Sequence, residues 1–473
     1  MEGKGIPSQD VMDRATQWAE REFGGAELGD RRRTRRAVQV AAAMAAHSAG
    51  SIPDQMKTWG ATKAAYRLFD EEDVTFAGLT APHQRATREA AGQRPWVLMV
   101  QDGTDLDYSF HWGVTGLGPI GDGRGRGIML HSVLAVAPSA GPGGGEEVLG
   151  LACQRPWYQR RVPKGETRTE AKKVQRRARQ WTEAVEEIGP APAGARWIHV
   201  ADREADNFDF YDACRKQGTG FLVRSAQDRR AALGHEATAA GYVQTLARSL
   251  PAWGSRRLRV RRRPNREPGE MELQVSAARV TVFTPWLSRK KIEPLRCWVV
   301  RVWDPESLSG PEPVEWILLC SEPVETLEDA LRVAEWYAVR WLIEEYHKCL
   351  KTGCAMEERQ LEKAERLERA AGVLCLVAVR LLQVKQQARQ SPNRPARECV
   401  PLEHLRMLAA WLGQASERMT VYAFWRGVAR MGGFLGRKSD GEPGWQTLWR
   451  GWRQLDLMTL GAALGSGGDR KCG

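Results

Sequence analysis

The sequence predicts an α/β core that is interrupted once by a β-rich insertion and flanked by helical segments. Short apolar strands alternate with helical patterns between residues 95 and 225. Short β-like pieces surround a proline- and arginine-rich turn between residues 240 and 315. Apolar residues recur at helical spacing before residue 90 and after residue 326. The chain has 473 residues and is 42% hydrophobic, which allows a large core and more than one domain.

Residues 10–90 are predicted to be mostly helical and contain a dense cationic segment, Arg31–Arg36. Alone, that segment fits a solvated helix face or a nucleic-acid contact, and both interpretations stay open. The net charge of +12 and the pI near 9.4 favour a polyanionic partner, of which nucleic acid is the commonest.

Two predicted strands of the core end at an aspartate. The strand at 96–100 is expected to stop in a turn at Gln101-Asp102-Gly103-Thr104, and the strand at 197–201 ends at Asp202. Gly116–Gly127 is expected to be a glycine-rich loop. Further strands are predicted at 128–136, 147–153, 221–224 and 316–320, and helices at 166–187 and 207–216.

The last third of the chain is predicted to be helical. Thr326 and Asp329 resemble a capping pair that opens a helix to about Thr352, and a second helix covers about 358–390. A linker with two prolines leads into a tryptophan-rich helical segment, 401–460. The expected domains are 10–90, a core at 91–390 that includes the insertion 240–315, and 391–473.

The carboxylates at the predicted strand ends suit metal chemistry. Acidic side chains that converge from separate elements can hold two divalent ions for phosphodiester cleavage, and Mg²⁺ prefers such oxygen ligands. Asp102 and Asp202 also have plain explanations, as an Asp-Gly turn and a helix-start cluster. Nearby acidic residues compete for any ligand role: Asp105, Asp107, Glu204 and Asp206.

A third carboxylate lies in a distinctive pattern. Tyr337, Arg340, Glu344 and Lys351 follow Y-x2-R-x3-E-x6-K spacing, which puts them within an arc of roughly 60° on a single helix. A carboxylate between a phenol and two cations suits a place beside DNA phosphates. A surface helix with ion pairs explains the same spacing.

These motifs together resemble the insertion-sequence-four group of DDE transposases, in particular the Tn-five type. The resemblance rests on Asp202-Arg-Glu-Ala-Asp206 after a strand and on the Tyr337-to-Lys351 signature. Leu28–Thr34 is similar to the family's DNA-binding domain, and Gly433–Lys438 to its dimerisation region. Ile128 and Met129 stand where the family has an aromatic pair.

The resemblance implies an RNase H-like (retroviral-integrase-like) core with a β-rich insertion, between an N-terminal helical domain that binds DNA ends and a C-terminal helical dimerisation domain. It implies that Asp102, Asp202 and Glu344 are catalytic and bind Mg²⁺, with Mn²⁺ able to substitute. Trp316 would stack on a flipped base. The residues expected to contact DNA are Tyr337, Arg340, Lys351, Arg224, Trp316, His347, Lys348, Arg32, Arg33 and Arg36.

The expected function is cut-and-paste transposition by a homodimer on double-stranded DNA with terminal inverted repeats, followed by joining to target DNA. We expect a cytoplasmic bacterial protein, nucleoid-associated when bound, because there is no secretory signal, because Ala370–Val379 is too short to span a membrane, and because the nine cysteines fit free thiols. One alternative is an inactive or repurposed relative that binds repeats without cutting. Another is a generic two-metal nuclease. The arginine run at 256–266 fits a DNA clamp or a solvated hairpin equally.

Overall fold

The computed structural model describes residues 9–138, 145–159, 177–234, 236, 238–260, 269–284, 293–308, 313–398, 400–437 and 440–466. Several predictions lie outside the described residues. These are most of the turn at 141–145, the first part of the helix at 166–187, and Arg261, Arg262, Arg263 and Arg266.

The N-terminal segment is helical, as predicted. Its helices are α1 (Gln9–Phe23), α2 (Arg31–Ala46), α3 (Ile52–Met56), α4 (Trp59–Asp70) and α5 (Phe76–Gly92). Polar side chains cap four of them, because a helix start leaves backbone N–H groups without partners. The capping residues are Asp30, Ser51, Thr58 and Thr75.

The centre of the molecule is a mixed sheet in the order β2-β3-β1-β5-β6-β12-β11-β10-β7-β8, with β4 paired to β3 and β9 paired to β10. The pairs β1–β5 and β5–β6 are parallel and the others are antiparallel. The strands are β1 (Trp96–Asp107), β2 (Gly118–Ile120), β3 (Gly125–Ala137), β4 (Glu147–Trp157), β5 (Arg196–Ala201), β6 (Gly220–Arg224), β7 (Arg230–Leu233), β8 (Gly241–Tyr242), β9 (Gly254–Val260), β10 (Gly269–Val282), β11 (Leu295–Trp303) and β12 (Glu315–Cys320).

Further helices pack on the sheet and form the C-terminal part of the chain. They are α6 (Arg177–Ile188), α7 (Phe208–Lys216), α8 (Val243–Ser249), α9 (Leu327–Ala338), α10 (Trp341–Lys348), α11 (Ala364–Gln390), α12 (Leu402–Leu412), α13 (Val421–Met431) and α14 (Trp445–Ser466). Separate clusters of buried apolar side chains form the core around the sheet. This α/β architecture with helical flanks confirms the predicted fold class and agrees with an RNase H-like core.

The structure corrects the predicted turn at Asp102. β1 runs on to Asp107, because its residues from Leu98 to Asp107 pair with β3. Asp102 therefore lies inside a strand, and the Asp-Gly pair makes no turn.

The inserted segment was expected to be all β, but it also contains the helix α8. Its strands β10 and β11 continue the central sheet beside β12 instead of forming a layer of their own. The insertion therefore widens the sheet.

The single helix expected to run to Thr352 is also corrected. It breaks at Val339–Arg340 into α9 and α10, and then ends in a π-helical turn at Cys349–Gly353. The capping pair at its start is confirmed, because Thr326 and Asp329 form a reciprocal capping box. Tyr337, Glu344 and Lys351 consequently lie on three successive elements, so the stripe on one continuous helix was wrong.

Within the part of the chain that the structure describes, no helix is long and apolar enough to cross a membrane. The cysteines in this described part of the chain have free, buried thiol groups.

Candidate active site

Asp102 and Asp202 lie side by side on neighbouring strands. β1 and β5 are parallel, and Val100 pairs with Val200, two residues before each aspartate. Adjacent strands are about 4.8 Å apart, so the two aspartates stand at the same level of the sheet. Asp202 follows the last residue of β5, where its Oδ1 accepts a hydrogen bond of 2.8 Å from the backbone N–H of Glu204.

Glu344, on α10, is connected to Asp102 through Arg340. α10 packs against β1 and β3. Arg340, at the break, donates from Nη1 to Asp102 Oδ2 at 3.1 Å and from Nη2 to Glu344 Oε1 at 2.6 Å. Arg340 thus binds an aspartate 238 positions away in the chain as well as the nearby Glu344.

The charges of the three carboxylates act on one another. Burial raises the pKa of Asp102 to about 7; Arg340 opposes this rise, while the neighbouring charges of Asp202 and Glu344 add to it. Asp102 and Glu344 therefore share the positive charge of Arg340 while Asp202 adds a further negative charge nearby, and a cluster that is short of positive charge favours a bound cation.

The donor chemistry of the cluster fits a divalent ion, because carboxylate oxygens are the ligands that Mg²⁺ prefers. The present arrangement does not yet enclose one. Among the described residues, no group of three or more His, Cys, Asp and Glu side chains is placed to hold a metal ion. The guanidinium of Arg340 occupies one oxygen of Asp102 and one of Glu344, so an ion that takes these two oxygens displaces it.

Aromatic and basic side chains surround the carboxylates. The hydroxyl of Tyr337 is hydrogen-bonded with Arg340. Burial raises the pKa of Tyr337; the charges of Arg340 and Arg224 oppose this rise, and the charge of Asp202 adds to it. The ring of Trp316 meets that of Tyr337 edge-on, with centroids 5.2 Å apart. Arg224 donates from Nη2 to the backbone oxygen of Glu315 at 2.8 Å. Trp316 and Arg224 thus lie beside Tyr337, which connects them with Arg340 and the acidic cluster.

The three basic residues after Glu344 have different surroundings. Lys348 is exposed, and Lys351 Nζ lies 3.2 Å from Glu357 Oε1. His347 is 7% exposed, and burial lowers its pKa to about 3, so the ring is neutral. The structure gives no support to the expected DNA contact of His347, because this face of α10 is turned towards the sheet.

The arginines of α2 also differ. Arg32 has a side chain that is 87% exposed and pairs with Asp30, and Arg36 is exposed. Arg33 instead pairs with Glu71 and Asp73, each at 2.5 Å. Arg33 therefore fastens α2 to the segment after α4, and any DNA contact would compete with these two ion pairs.

The competing acidic residues have structural partners. Asp206 is 3% exposed and accepts hydrogen bonds from Tyr211, Arg229 and the backbone N–H groups of Ala226 and Gln227. Asp105 pairs with Arg177 at 3.0 Å, Asp107 accepts from Ser109, and Glu204 lies 3.7 Å from Arg177. In the arginine run, Arg256 pairs with Glu335.

The sequence analysis did not single out the buried polar residues next to the cluster. Ser132, Gln154 and Tyr346 lie between the sheet and α10 and are joined by hydrogen bonds. The available signal was weak: Ser132 is a polar residue within the apolar run 128–136, and Tyr346 has the helical spacing of any core residue.

Three family models match the chain, in the order that the site and the flanking helices suggest. "Transposase DNA-binding" matches residues 15–74, "Transposase DDE domain" matches 168–380, and "Transposase Tn5 dimerisation domain" matches 416–467. The chain belongs to the DDE transposases of the Tn5 type. It is a DNA transposase, with DNA and a second copy of itself as partners.

The matches also bear on the site of the transposase. Its DDE domain makes it a DNA-cleaving and strand-transferring enzyme of a class that uses divalent metal ions. The DDE match includes Asp202 and Glu344 but begins after Asp102. The assignment of Asp102 depends instead on its position beside Asp202 and on its link to Glu344 through Arg340.

Proposed function

We propose that the transposase cuts DNA at the ends of its own element and joins the freed ends to target DNA at Asp102, Asp202 and Glu344. The observation that carries this proposal is the attachment of Asp102 and Glu344 to one guanidinium, with Asp202 level with Asp102 on the next strand. Mg²⁺ is the proposed ion, and Mn²⁺, with similar oxygen preference, is able to replace it.

The proposed reaction is cleavage followed by joining. When bound, the ions favour the deprotonated form of the attacking oxygen and offset the charge of the phosphate. In cleavage, water attacks the phosphorus, the bond to the 3′ oxygen breaks, and a proton is left on the new 3′-OH. In joining, this 3′-OH attacks a target phosphodiester and displaces its 3′ oxygen. One phosphodiester bond replaces another, so no covalent protein intermediate is required.

The residues around the carboxylates would position the DNA backbone. Arg340 has a planar fork of donors, which suits a phosphate once its guanidinium is released from the carboxylates. Tyr337, Lys351 and Lys348 lie on or next to the same helices, and Arg224 lies beside Tyr337. Trp316 is the proposed platform for an extruded base, because an aromatic ring compensates for lost base stacking. Formation of a DNA hairpin at the cleaved end would depend on the extrusion of this base.

We further propose a division of work along the chain. Residues 10–90 bind the terminal inverted repeats through exposed arginines such as Arg32 and Arg36, residues 91–390 carry the chemistry, and residues 391–473 pair two copies. Because the substrates are chromosomal DNA, we place the reaction in the bacterial cytoplasm, at the nucleoid.

The test uses the full-length protein and a duplex that carries one end of its own element. The wild type should nick this duplex only with Mg²⁺ or Mn²⁺. Asp202→Asn should bind it normally and nick at least about a thousandfold more slowly, because a ligand needed for transition-state charge is lost. Glu204→Gln is the matched control and should nick normally, since Glu204 is a neighbouring carboxylate outside the proposed triad.

Two other outcomes would replace the proposal. A wild type that binds ends but never nicks them would be a repurposed DNA-binding protein. Cleavage that needs neither specific paired ends nor a second copy, and that is never followed by strand transfer, would identify a generic nuclease.

A further inference from the structure

A buried polar cluster connects the sheet with α10 next to the carboxylates. Its members are Ser132 on β3, Gln154 on β4, and Tyr346 and His347 on α10, which are 0%, 4%, 0% and 7% exposed. Gln154 donates from Nε2 to Ser132 Oγ at 3.0 Å and to Tyr346 Oη at 2.6 Å. His347 Nε2 lies 3.3 Å from Ser132 Oγ. The cluster therefore bonds α10 to two strands.

One of these elements, α10, carries Glu344, and another, β3, pairs with the strand that carries Asp102. Ser132 is directly opposite Asp102 in the pairing of β1 with β3, so the two side chains share a face of the sheet. His347 is three residues beyond Glu344, one turn along α10. The polar cluster thus connects strand β3, which pairs with the strand of Asp102, with helix α10, which carries Glu344.

We propose that Ser132, Gln154, Tyr346 and His347 are positioning residues that set the rotation and height of α10 so that Glu344 faces Asp102. This inference rests on the proposed function, because it assigns these residues to the geometry of the same metal site. None of them is a catalytic residue.

The required precision explains why apolar packing alone is insufficient. A side chain lies about 5–6 Å from the axis of its helix, so a rotation of about 20° moves its end by roughly 2 Å. Metal–ligand distances must be kept within about 0.2 Å. Apolar contacts tolerate such shifts by repacking, whereas directional hydrogen bonds between buried polar groups favour one arrangement. Tyr346 and His347 project about 100° apart, so anchoring both to the sheet fixes the rotation of the helix.

The experiment uses the full-length protein bound to end DNA, with Mn²⁺ as the probe, and measures Mn²⁺ binding by electron paramagnetic resonance. Ser132→Ala and His347→Leu remove hydrogen bonds of the cluster, whereas His347→Gln keeps a polar atom near the place of Nε2. Ser276→Ala is the matched control. Ser276 is also 0% exposed in the sheet, but its Oγ has no hydrogen-bond partner among the described residues.

We expect Ser132→Ala and His347→Leu to raise the half-saturating Mn²⁺ concentration about tenfold, the lower end of what outer partners of metal ligands contribute. His347→Gln and Ser276→Ala should stay within about threefold of the wild type, and the metal-free affinity for end DNA should be unchanged. Saturating Mn²⁺ should largely restore nicking.

Unchanged Mn²⁺ binding in folded Ser132→Ala and His347→Leu would overturn the inference. If His347→Leu does not fold, Ser132→Ala decides the question alone, because it removes only one hydroxyl. Failure of the proposed function would be distinct: the wild type itself would then bind Mn²⁺ without nicking DNA.

Discussion

Replacing Arg340 with glutamine tests how the carboxylates are kept together without metal. Arg340 binds Asp102 at 3.1 Å and Glu344 at 2.6 Å, and the side chains of Arg340, Asp102 and Glu344 are 21%, 21% and 45% exposed. Arg340→Gln removes the cation and leaves the acidic groups beside one another. The metal-free protein should therefore become less stable.

The size of the effect follows from the two contacts. A hydrogen bond to a charged group contributes about 1.5–3 kcal/mol, and an exposed ion pair about 0.5 kcal/mol. Counting Asp102 as the former and the more exposed Glu344 as the latter gives about 2–3.5 kcal/mol, of which the lower end, about 2 kcal/mol, is used below. If the ion binds the same two oxygens as the guanidinium, the wild type spends this energy on displacing Arg340 and the variant does not. The variant should then bind Mn²⁺ about 30-fold more tightly, because 1.4 kcal/mol corresponds to a factor of ten.

The assay compares Tm in a chelator with Tm in Mn²⁺, and measures Mn²⁺ affinity by calorimetry. Arg340→Gln should have a lower Tm without metal, a larger rise with metal, and slower nicking, because the proposed phosphate contact is lost. Arg177→Gln, which breaks an ion pair with Asp105 outside the triad, should leave Mn²⁺ affinity unchanged. Weaker Mn²⁺ binding by Arg340→Gln would refute the reasoning and make Arg340 an organiser of the metal site.

Three further predictions concern DNA contacts and pH. Arg32→Gln and Arg36→Gln should each lower the salt dependence of binding to end DNA by about one released ion. Arg33→Gln should mainly lower the Tm, because Arg33 forms ion pairs within the protein. Binding titrations at several salt concentrations measure the first effect, and thermal melts measure the second. Trp316→Ala should slow nicking and abolish the fluorescence change of a 2-aminopurine at the end, whereas Trp316→Phe should retain both; equal behaviour of the two variants would exclude stacking. Burial lowers the pKa of His131, His199 and His347 to about 3, below the value near 6.5 of an unfolded chain, so the unfolded form takes up more protons at low pH. The contribution of these histidines to the free energy of unfolding should be fully present above pH 6.5 and should be lost as the pH drops towards 3. The Tm of His347→Gln should therefore fall less steeply with decreasing pH than the Tm of the wild type.

Much of the fold could be predicted because hydrophobic periodicity is local. The helices of the first 90 residues, the strands ending near Asp202 and the capping box at Thr326 all have local signals, and the structure contains them. The continuation of β1 through Asp102 had no such signal, since it depends on pairing with β3, which is distant in sequence. The same holds for the insertion, whose strands join the central sheet only through tertiary pairing.

The sequence suggested members for the candidate site but not the contacts between them. The spacing of Tyr337, Arg340 and Glu344 suggested one helix, but the helix is interrupted at Arg340, whose guanidinium contacts Asp102. His347 looked like another cation beside DNA. His347 is buried beside Ser132 and is therefore a neutral core residue. The sequence of a short segment does not show whether a basic side chain in it is buried.

The central claim is that Asp102, Asp202 and Glu344 hold the same metal ions, and iron-directed cleavage of the polypeptide tests it most directly. Fe²⁺ would replace Mg²⁺ in the full-length protein bound to end DNA, and ascorbate with peroxide would generate radicals at the bound ion. The account predicts backbone cuts clustered near residues 102, 202 and 344, suppressed by excess Mg²⁺ and by Asp202→Asn. Cuts at only one of these segments, or at sites unrelated to them, would contradict it.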